Sequence, residues 1–289
     1  MARVIVDMHV HPVLVKEVLE REPDHVANVG RVFDLHTSPQ PLETLLRGME
    51  AAGVGKAVLL ALDCETRWGC KLPSNETVSY VVGLHPDRFI GFASVDPLKG
   101  KGAADELEDA VKSLGLRGLK LNPPLQGFDP TGDEARLLFE KASELRIPVI
   151  AHSGLSWFKG SVLRYGDPRL WDDVARDFPE LTVILAHCGW PWVWDALTLA
   201  MKHPHVYVDV ANTYTGTPAE HLSYALTEMV PRRVVERFLG DKIVFGSDFP
   251  RMEIDKMVQA CKGLPLSDAV KDRILGLNAL RVLGLSGSR

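Results

Sequence analysis

Cysteine is scarce in this sequence, with only four among 289 residues, at Cys64, Cys70, Cys188 and Cys261. Their spacing matches neither a zinc-knuckle pattern nor a disulfide framework. This argues against a small scaffold held together by disulfides and against a cysteine-rich metal cluster. We therefore expect a reducing, cytoplasmic compartment and a packing role for Cys188. Cys64 ends the second predicted strand and could border a pocket, but no neighbouring base supports a nucleophilic role for it.

Long apolar runs, basic stripes and low-complexity segments are also missing. No stretch has the length of a membrane span, and the net charge is only -5 at pH 7. These absences argue against a nucleic acid or a membrane as the partner. Because the first apolar run begins near residue 3, we expect no cleavable secretory leader. No linker interrupts the chain, which favours one domain over residues 1–289.

Apolar residues, by contrast, are plentiful and follow a repeating pattern. They make up 46% of the chain, with 25% charged residues, which is enough for a large core. Eight runs rich in Val, Ile and Leu are predicted as parallel strands, at 3–11, 56–63, 89–96, 116–122, 148–153, 182–188, 206–211 and 242–248. Helical patterns lie between them, for example at 41–52, 102–114, 133–145, 171–178 and 192–202. This order predicts an α/β fold, a single (β/α)8 TIM barrel with its active site at the C-terminal ends of the strands.

Three connections are too long for simple turns, namely residues 12–40, 64–73 and 154–170. In such a barrel the long loops after strands usually form the substrate pocket. Trp68, Trp157 and Arg164 lie on the second and third of these loops. Aromatic walls with a cation would suit a planar or carboxylated small-molecule substrate. The alternative is that the tryptophans only pack the loops against the barrel.

Two histidines stand close together near the N-terminus, in the segment Asp7-Met8-His9-Val10-His11. Side chains alternate along a strand, so His9 and His11 point the same way and could bind one cation. Two histidines alone are a modest signal, and other ligands must join them. Asp7 shares this face one pleat deeper, where we expect a core hydrogen bond.

Polar residues also end later strands. His152, His187 and Asp248 each follow an apolar run, and Lys120 ends another, where an unpaired ammonium is costly. Asn122 lies beyond Lys120 on the same face and could contact substrate. The expected ligands of a divalent metal ion are His9, His11, His152, His187 and Asp248. We expect zinc first, with Mn, Fe and Co as alternatives.

This metal centre would also define the chemistry. A bound ion can lower the pKa of its water to about 7, and Asp248 could then act as general base and acid. Arg251 follows Asp248 closely and could hold an anionic group or form a surface ion pair. The histidines elsewhere are expected to face solvent, namely His25, His36, His203, His205 and His221. His36 is held open as an exception, because it lies in the first long connection, which could fold over the pocket.

The strand-end residues together resemble the amidohydrolase superfamily. Two wider phrases, Ala186-His187-Cys188-Gly189-Trp190-Pro191-Trp192 and Gly246-Ser247-Asp248-Phe249-Pro250, are similar to its amidohydrolase-related branch, which includes aminocarboxymuconate semialdehyde decarboxylase-like proteins. The resemblance implies a metal-dependent enzyme with one or two ions, in which Asp248, His187, His152 and Lys120 are catalytic. By analogy with relatives, we also expect a homodimer.

Lys120 stands where two-metal members of that superfamily carry a carboxylated lysine. The resemblance thus implies that Lys120 is a further metal ligand, since carboxylation turns an ammonium into a carbamate. An unmodified Lys120 could instead bind a substrate carboxylate or pair with Asp248. Both forms give this lysine a functional role.

Several functions compete at this point. Lys120 favours a hydrolase that acts on an amide, ester or lactone, because decarboxylases of the branch generally lack this lysine. The alternative is a non-oxidative decarboxylase of a small aromatic or unsaturated carboxylic acid, which uses the same kind of metal site. A metal-free lactonase and a non-enzymatic binding barrel are further possibilities.

Overall fold

The computed structural model describes residues 4–285. Eight parallel strands form a closed barrel with helices outside, so the predicted (β/α)8 fold is confirmed. The strands are β1 (Ile5–Val10), β2 (Val54–Leu60), β3 (Phe89–Phe92), β4 (Leu119–Leu121), β5 (Val149–Ala151), β6 (Val183–Leu185), β7 (Val206–Asp209) and β8 (Ile243–Val244). The first residue of the predicted strand 3–11 lies outside the described residues, as does the tail beyond 285, for which the sequence predicts a frayed end.

Two hydrogen-bonded ladders make up the barrel wall, β1-β2-β3 and β4-β5-β6-β7-β8. At one seam the Lys120 N–H donates to the Ala93 carbonyl over 2.6 Å. At the other seam the Met8 N–H donates to the Phe245 carbonyl over 2.9 Å. Closure brings the C-terminal ends of all eight strands to one rim, where a site can form.

Amphipathic helices cover the barrel from outside. The helix Leu42–Ala52, for example, buries Leu42, Leu45 and Met49 and ends at Gly53, whose φ of 77° few other residues adopt. The covering helices are Leu42–Ala52, Asn75–Leu84, Lys101–Lys112, Asp133–Glu144, Leu170–Asp177, Val193–Lys202, Pro218–Ser223 and Ile254–Gly263. Shorter α-helical segments are Lys16–Leu19, His25–Phe33, Glu65–Trp68, Pro123–Gln126, Arg232–Val234, Asp268–Asp272 and Asn278–Val282. Tighter 3-10 turns occur at Pro97–Lys99, Leu163–Gly166 and Ala186–Gly189, and wider π turns at Tyr224–Met229, Val235–Leu239 and Arg273–Leu277.

The long connection 12–40 is more ordered than a loop. It contains the helices Lys16–Leu19 and His25–Phe33, and the second buries Val29, Val32 and Phe33. These apolar side chains pack with Leu62 and Leu125 near the rim of the barrel, so burial stabilises helices within this connection.

Among the helices of residues 4–285, none combines the length and the apolar composition of a membrane span.

The barrel interior is apolar over much of its length. One buried cluster joins side chains from seven of the eight strands, including Met8, Phe92, Ile150 and Val244. On β4 the two leucines pack in the other main cluster, toward the helices, so Lys120 between them points inward. An inward lysine must find polar partners, and these lie at the C-terminal ends of the neighbouring strands.

Candidate metal centre and active site

Two histidines of β1 meet Asp248, which follows β8. His9 Nε2 and His11 Nε2 are 3.2 Å apart, and Asp248 Oδ1 lies 3.6 Å and 3.7 Å from these two atoms. Ligand atoms about 2.1 Å from one ion are roughly 3.0–3.4 Å apart in tetrahedral or octahedral geometry. These three atoms are therefore close to the spacing of ligands on a common ion.

Asp209, the last residue of β7, anchors this group, and the sequence analysis missed it. Its Oδ2 accepts from His9 Nδ1 over 2.8 Å, and its Oδ1 accepts from the His187 N–H over 2.7 Å. Because His9 Nδ1 carries the donated proton, the lone pair of His9 Nε2 is left for the site. The missed signal was a strand, residues 206–209, that ends in a carboxylate just as other strands end in ligand-type residues.

His152 and His187 form a second histidine pair beside His9. His187 Nδ1 lies 3.0 Å from the Ala211 carbonyl and therefore donates to it, which leaves His187 Nε2 as an acceptor. His152 Nδ1 lies 3.1 Å from His187 Nε2, so it donates in turn. The His9 and His187 ring centroids are 5.0 Å apart, which brings the two pairs into one cluster.

Lys120 projects into this cluster from β4. Its Nζ lies 3.1 Å from His9 Nε2, and the side chain is fully buried. Burial lowers the pKa of Lys120 to about 8, although the nearby charges of Asp209 and Asp248 oppose the shift. Its predicted role as a metal ligand after carboxylation stays a prediction.

The backbone at two of these residues is strained. His187 and Asp248 have φ values of 59° and 64°, in the left-handed region that side chains other than glycine rarely adopt. Hydrogen bonds hold both turns: the His187 N–H donates to Asp209, and the Asp248 N–H donates to the His9 carbonyl over 2.9 Å. Strain of this kind is typical of functional sites, where the surrounding fold enforces it.

The electrostatics of the cluster suit a cation. Burial lowers the pKa of all four histidines well below the usual 6.5, so the imidazoles are neutral; they are His9, His11, His152 and His187. Burial raises the pKa of Asp248 to about 7, although Arg251 and Lys120 oppose the shift. Within the described residues, His11 Nδ1 and His152 Nε2 are buried without a hydrogen-bond partner. Neutral imidazoles with a carboxylate are the donors that divalent transition metals prefer, so these residues fit a divalent metal ion.

The cluster opens into a pocket at the rim of the barrel. Asn122 and Trp157, both predicted to contact substrate, lie on its wall, and Trp157 is 62% exposed. Tyr214 and Arg251, from the connections after β7 and β8, complete the polar part of the lining. The apolar part comes mostly from the connections after β1 and β5, with Leu62 after β2 and Pro250 after β8; the residues from the first two connections are Val13, Phe33, Leu35, Leu155 and Phe158.

The structure does not bring Trp68 or Arg164 to this pocket. Trp68 donates from Nε1 to the Leu125 carbonyl over 3.0 Å and packs against an apolar cluster. Arg164 is exposed, donates to the Tyr165 hydroxyl over 2.8 Å and stacks on the same ring. For Trp68 the structure thus favours the loop-packing interpretation, because the apolar cluster under the short helix takes up its ring.

Two histidines expected to face solvent are buried, and that expectation is wrong for them. His25 contacts the Val13 carbonyl through Nε2 over 3.1 Å, and His221 packs its ring 4.9 Å from that of Trp190. Each lies on the inner face of its helix, so contacts with the neighbouring elements bury the imidazole although it is polar. Asp7 forms the expected core hydrogen bonds, accepting from the backbone N–H groups of His9 and Ser247.

Comparison with known proteins places this site in a family. The profile of the amidohydrolase family matches residues 6–285. The chain belongs to the amidohydrolase family. The resemblance inferred from the strand-end motifs is thereby confirmed, and the chain is an enzyme of the amidohydrolase superfamily.

Curated relatives of this amidohydrolase are decarboxylases. A 2-amino-3-carboxymuconate-6-semialdehyde decarboxylase of Dictyostelium discoideum is 23% identical over 242 residues, which cover 74% of this chain and 66% of the relative. A gamma-resorcylate decarboxylase of Polaromonas sp. strain JS666 is 24% identical over 255 residues, which cover 74% of this chain and 76% of the relative. The chain thus spans between 66% and 76% of the length of these two relatives.

Solved structures share the fold of this amidohydrolase. A TIM-barrel protein of Bordetella bronchiseptica has a TM-score of 0.76 at 23% identity, covering 98% of this chain and 99% of its own. A dihydroxybenzoic acid decarboxylase of Polaromonas sp. JS666, solved with manganese and the inhibitor 2-nitroresorcinol, has a TM-score of 0.63 at 19% identity, covering 98% and 97%. That neighbour holds a divalent metal ion.

Proposed function

We propose that this protein is a metal-dependent, non-oxidative decarboxylase of a small aromatic or unsaturated carboxylic acid. The observation that carries this proposal is a donor set for a divalent ion that opens into a pocket with aromatic walls. The decarboxylase names of the curated relatives support it over hydrolysis, which Lys120 had favoured. We propose zinc as the ion, with Mn, Fe or Co as alternatives. The partners we propose are a small-molecule substrate and a second copy of the chain, and the compartment we propose is the cytoplasm.

The reaction breaks the bond between the carboxylate and its neighbouring carbon. The electron pair of that bond stays on the carbon, which takes up a proton as carbon dioxide leaves. A divalent ion bound by His9, His11 and Asp248 would act as a Lewis acid that orients the substrate carboxylate. The protein must still supply the proton and hold the substrate in one orientation.

We assign the delivery of this proton to the pair of His152 and His187. The Ala211 carbonyl and Asp209 fix the ring and the backbone of His187, and His187 in turn orients His152 over 3.1 Å. Within the described residues, His152 Nε2 has no hydrogen-bond partner, and both rings line the pocket. His152 Nε2 can therefore accept a proton from solvent water and pass it to the substrate carbon that carbon dioxide leaves, which returns the imidazole to its neutral form.

Carbon dioxide release tests this function directly. Metal-loaded protein is incubated with a panel of aromatic and unsaturated carboxylic acids, and release is compared for the wild type, His187→Asn and His36→Gln. We expect turnover of at least one acid, a loss of about 100-fold or more in His187→Asn, and no change in the control. His36 is 74% exposed and lies outside the pocket lining, which makes it a matched histidine control. Absence of release from every acid would reject the decarboxylase proposal.

Hydrolysis of an amide, ester or lactone remains a second candidate because of Lys120. This lysine lies 3.1 Å from His9 Nε2, in a cluster that contains two histidine pairs. A carboxylated Lys120 with these pairs could hold two ions. Metal analysis and intact mass in bicarbonate buffer separate the candidates: two ions per chain with one added carbon dioxide would support the hydrolase, and one ion on an unmodified chain would support the decarboxylase.

A further inference from the structure

Arg251 is a cation on the pocket wall. It lies three residues after Asp248, and its backbone N–H donates to the Asp248 carbonyl over 2.9 Å. The side chain is half-buried and lines the same pocket as the metal cluster. Because Arg251 lies on the short connection after β8, the turn at Asp248 also fixes the backbone position of Arg251.

An aromatic contact orients the Arg251 side chain. Its guanidinium carbon lies 4.9 Å from the centre of the Phe158 ring, and that ring lies 4.8 Å from the ring of Phe33. Stacking on an aromatic face holds a guanidinium in place while leaving its N–H donors free. Phe158, from the connection after β5, thus contacts Arg251 directly, and Phe33, from the connection after β1, packs against Phe158.

The charge of Arg251 has no carboxylate beside it. Across residues 4–285, no Asp or Glu oxygen lies within 4.0 Å of its guanidinium, and its side chain donates no hydrogen bond. Its field reaches Asp248, whose pKa it lowers, but Asp248 lies beyond ion-pair distance. A half-buried, oriented and unpaired guanidinium in a pocket is suited to an anionic ligand, because its fork can bind both oxygens of a carboxylate.

We propose that Arg251 binds a second carboxylate of the substrate, so that the enzyme acts on dicarboxylic acids rather than monocarboxylic ones. This inference rests on the proposed function for the identity of the reacting carboxylate. A metal ion held by His9, His11 and Asp248 would provide the positive charge for the reacting carboxylate, with Lys120 beside it. Arg251 is a separate cation on the pocket wall. Phe158 and Trp157 also line the pocket, where their rings would contact the part of the substrate between the two acids.

Binding measurements test this subsite without any turnover. Manganese-loaded protein is titrated by calorimetry with benzoate, benzene-1,3-dicarboxylate and benzene-1,4-dicarboxylate. We expect at least one dicarboxylate to bind ten times more tightly than benzoate or better, because only a dicarboxylate reaches both cations. Arg251→Gln should remove that preference while leaving the affinity for benzoate within about threefold, and Arg251→Lys should keep part of it because the charge remains without the fork.

Arg47→Gln is the control for the lost charge. Arg47 is exposed on the helix Leu42–Ala52, away from the pocket, so this variant should bind all three acids like the wild type. Three outcomes would each overturn the subsite. The wild type could bind the monocarboxylate and both dicarboxylates equally, it could bind neither dicarboxylate, or Arg251→Gln could keep the preference for a dicarboxylate. A dicarboxylate preference without carbon dioxide release from any acid would instead reject decarboxylation and leave the subsite standing.

Discussion

Two groups of charged side chains lie on the same rim of this barrel, and their partners differ. After β2, Asp63 accepts from Lys99 over 2.6 Å, and Lys99 also contacts Glu65 and Glu106 over 2.7 Å and 3.1 Å. After β8, the Asp248 carboxylate accepts no hydrogen bond from any residue in the described range 4–285 and faces two imidazole nitrogens at 3.6 Å and 3.7 Å.

The difference separates structure from function. The first group satisfies its own charges and thereby fastens the connections after β2 and β3. The second leaves the Asp248 carboxylate, His11 Nδ1 and His152 Nε2 without a hydrogen-bond partner in the described residues, which costs stability unless a ligand binds. Charge at the rim of a barrel therefore indicates a site only where the protein does not neutralise it.

Among the substitutions that test this difference, Asp248→Asn should give the largest effect, and the effect should be on turnover. We expect turnover to fall by about 1000-fold, or about 4 kcal/mol, because the amide keeps the shape but loses a charged ligand. The melting temperature should change little, since the carboxylate makes no hydrogen bond to the described residues. Carbon dioxide release and thermal unfolding measure the two effects. Activity within tenfold of the wild type would remove Asp248 from the site.

Lys99→Met should show the opposite pattern. Its ammonium contacts three carboxylates, those of Asp63, Glu65 and Glu106, and only 24% of the side chain is exposed. We expect the free energy of unfolding to fall by about 2–3 kcal/mol, with turnover nearly unchanged. Urea unfolding measures the loss. Lys256→Met, which breaks an exposed pair with Glu253, should cost less than about 1 kcal/mol. Equal effects of the two substitutions would show that the Asp63 group is no more stabilising than a surface pair.

Asp209→Asn should weaken the metal centre without removing a ligand. The carboxylate holds His9 Nδ1 and the His187 backbone, so its loss frees the orientation of both histidines. We expect metal affinity to fall by about 10–100-fold, as measured by competition with a chromogenic chelator. The exposed Asp34→Asn should bind metal like the wild type. An unchanged affinity in Asp209→Asn would mean that packing alone positions His9.

Glu22→Gln should produce the smallest effect, a change in the free energy of unfolding that depends on pH. Burial alone would raise the pKa of Glu22, but the nearby His25 imidazole and the hydrogen bonds from the Ser74 N–H and hydroxyl outweigh it and lower the pKa to about 2. A carboxyl whose pKa is lowered by folding stabilises the native state above its unfolded pKa, and this stability is lost as pH falls. After allowance for solvent screening, we expect wild type and Glu22→Gln to differ by about 1 kcal/mol at pH 6, and less as pH falls from 4.5 toward 2. Urea unfolding across this range measures the difference, and a constant gap would contradict the pKa shift.

The sequence predicted most of the metal cluster but not its support. His9, His11 and Asp248 could be identified because each stands at the end of an apolar run, and the structure brings them together. Asp209 ends a run in the same way, but its role depends on which side chain it meets across the barrel. Nothing in the sequence places it beside His9, which lies 200 positions away.

The pocket was harder to predict than the cluster. Trp68 and Trp157 both lie on long connections, and the sequence could not say which of them packs and which lines the pocket. Tyr214 belongs to a shorter connection and carries no periodic signal. Arg251 could be named from the sequence, but whether it held an anion or formed a surface ion pair could not be decided there. The buried positions of His25 and His221 likewise depend on the inner faces of helices, which form only once the barrel is present.

The alternation of strands and helices and the types of residue at the strand ends can be inferred from the chain alone, because hydrophobic periodicity is a local property. Other features depend on the folded barrel: the 3.2 Å approach of His9 to His11, the tautomers set by Asp209 and Ala211, and the unpaired state of Arg251. The physical reason is that hydrogen bonds and ion pairs act over a few ångströms, so they form between residues that closure of the barrel brings together.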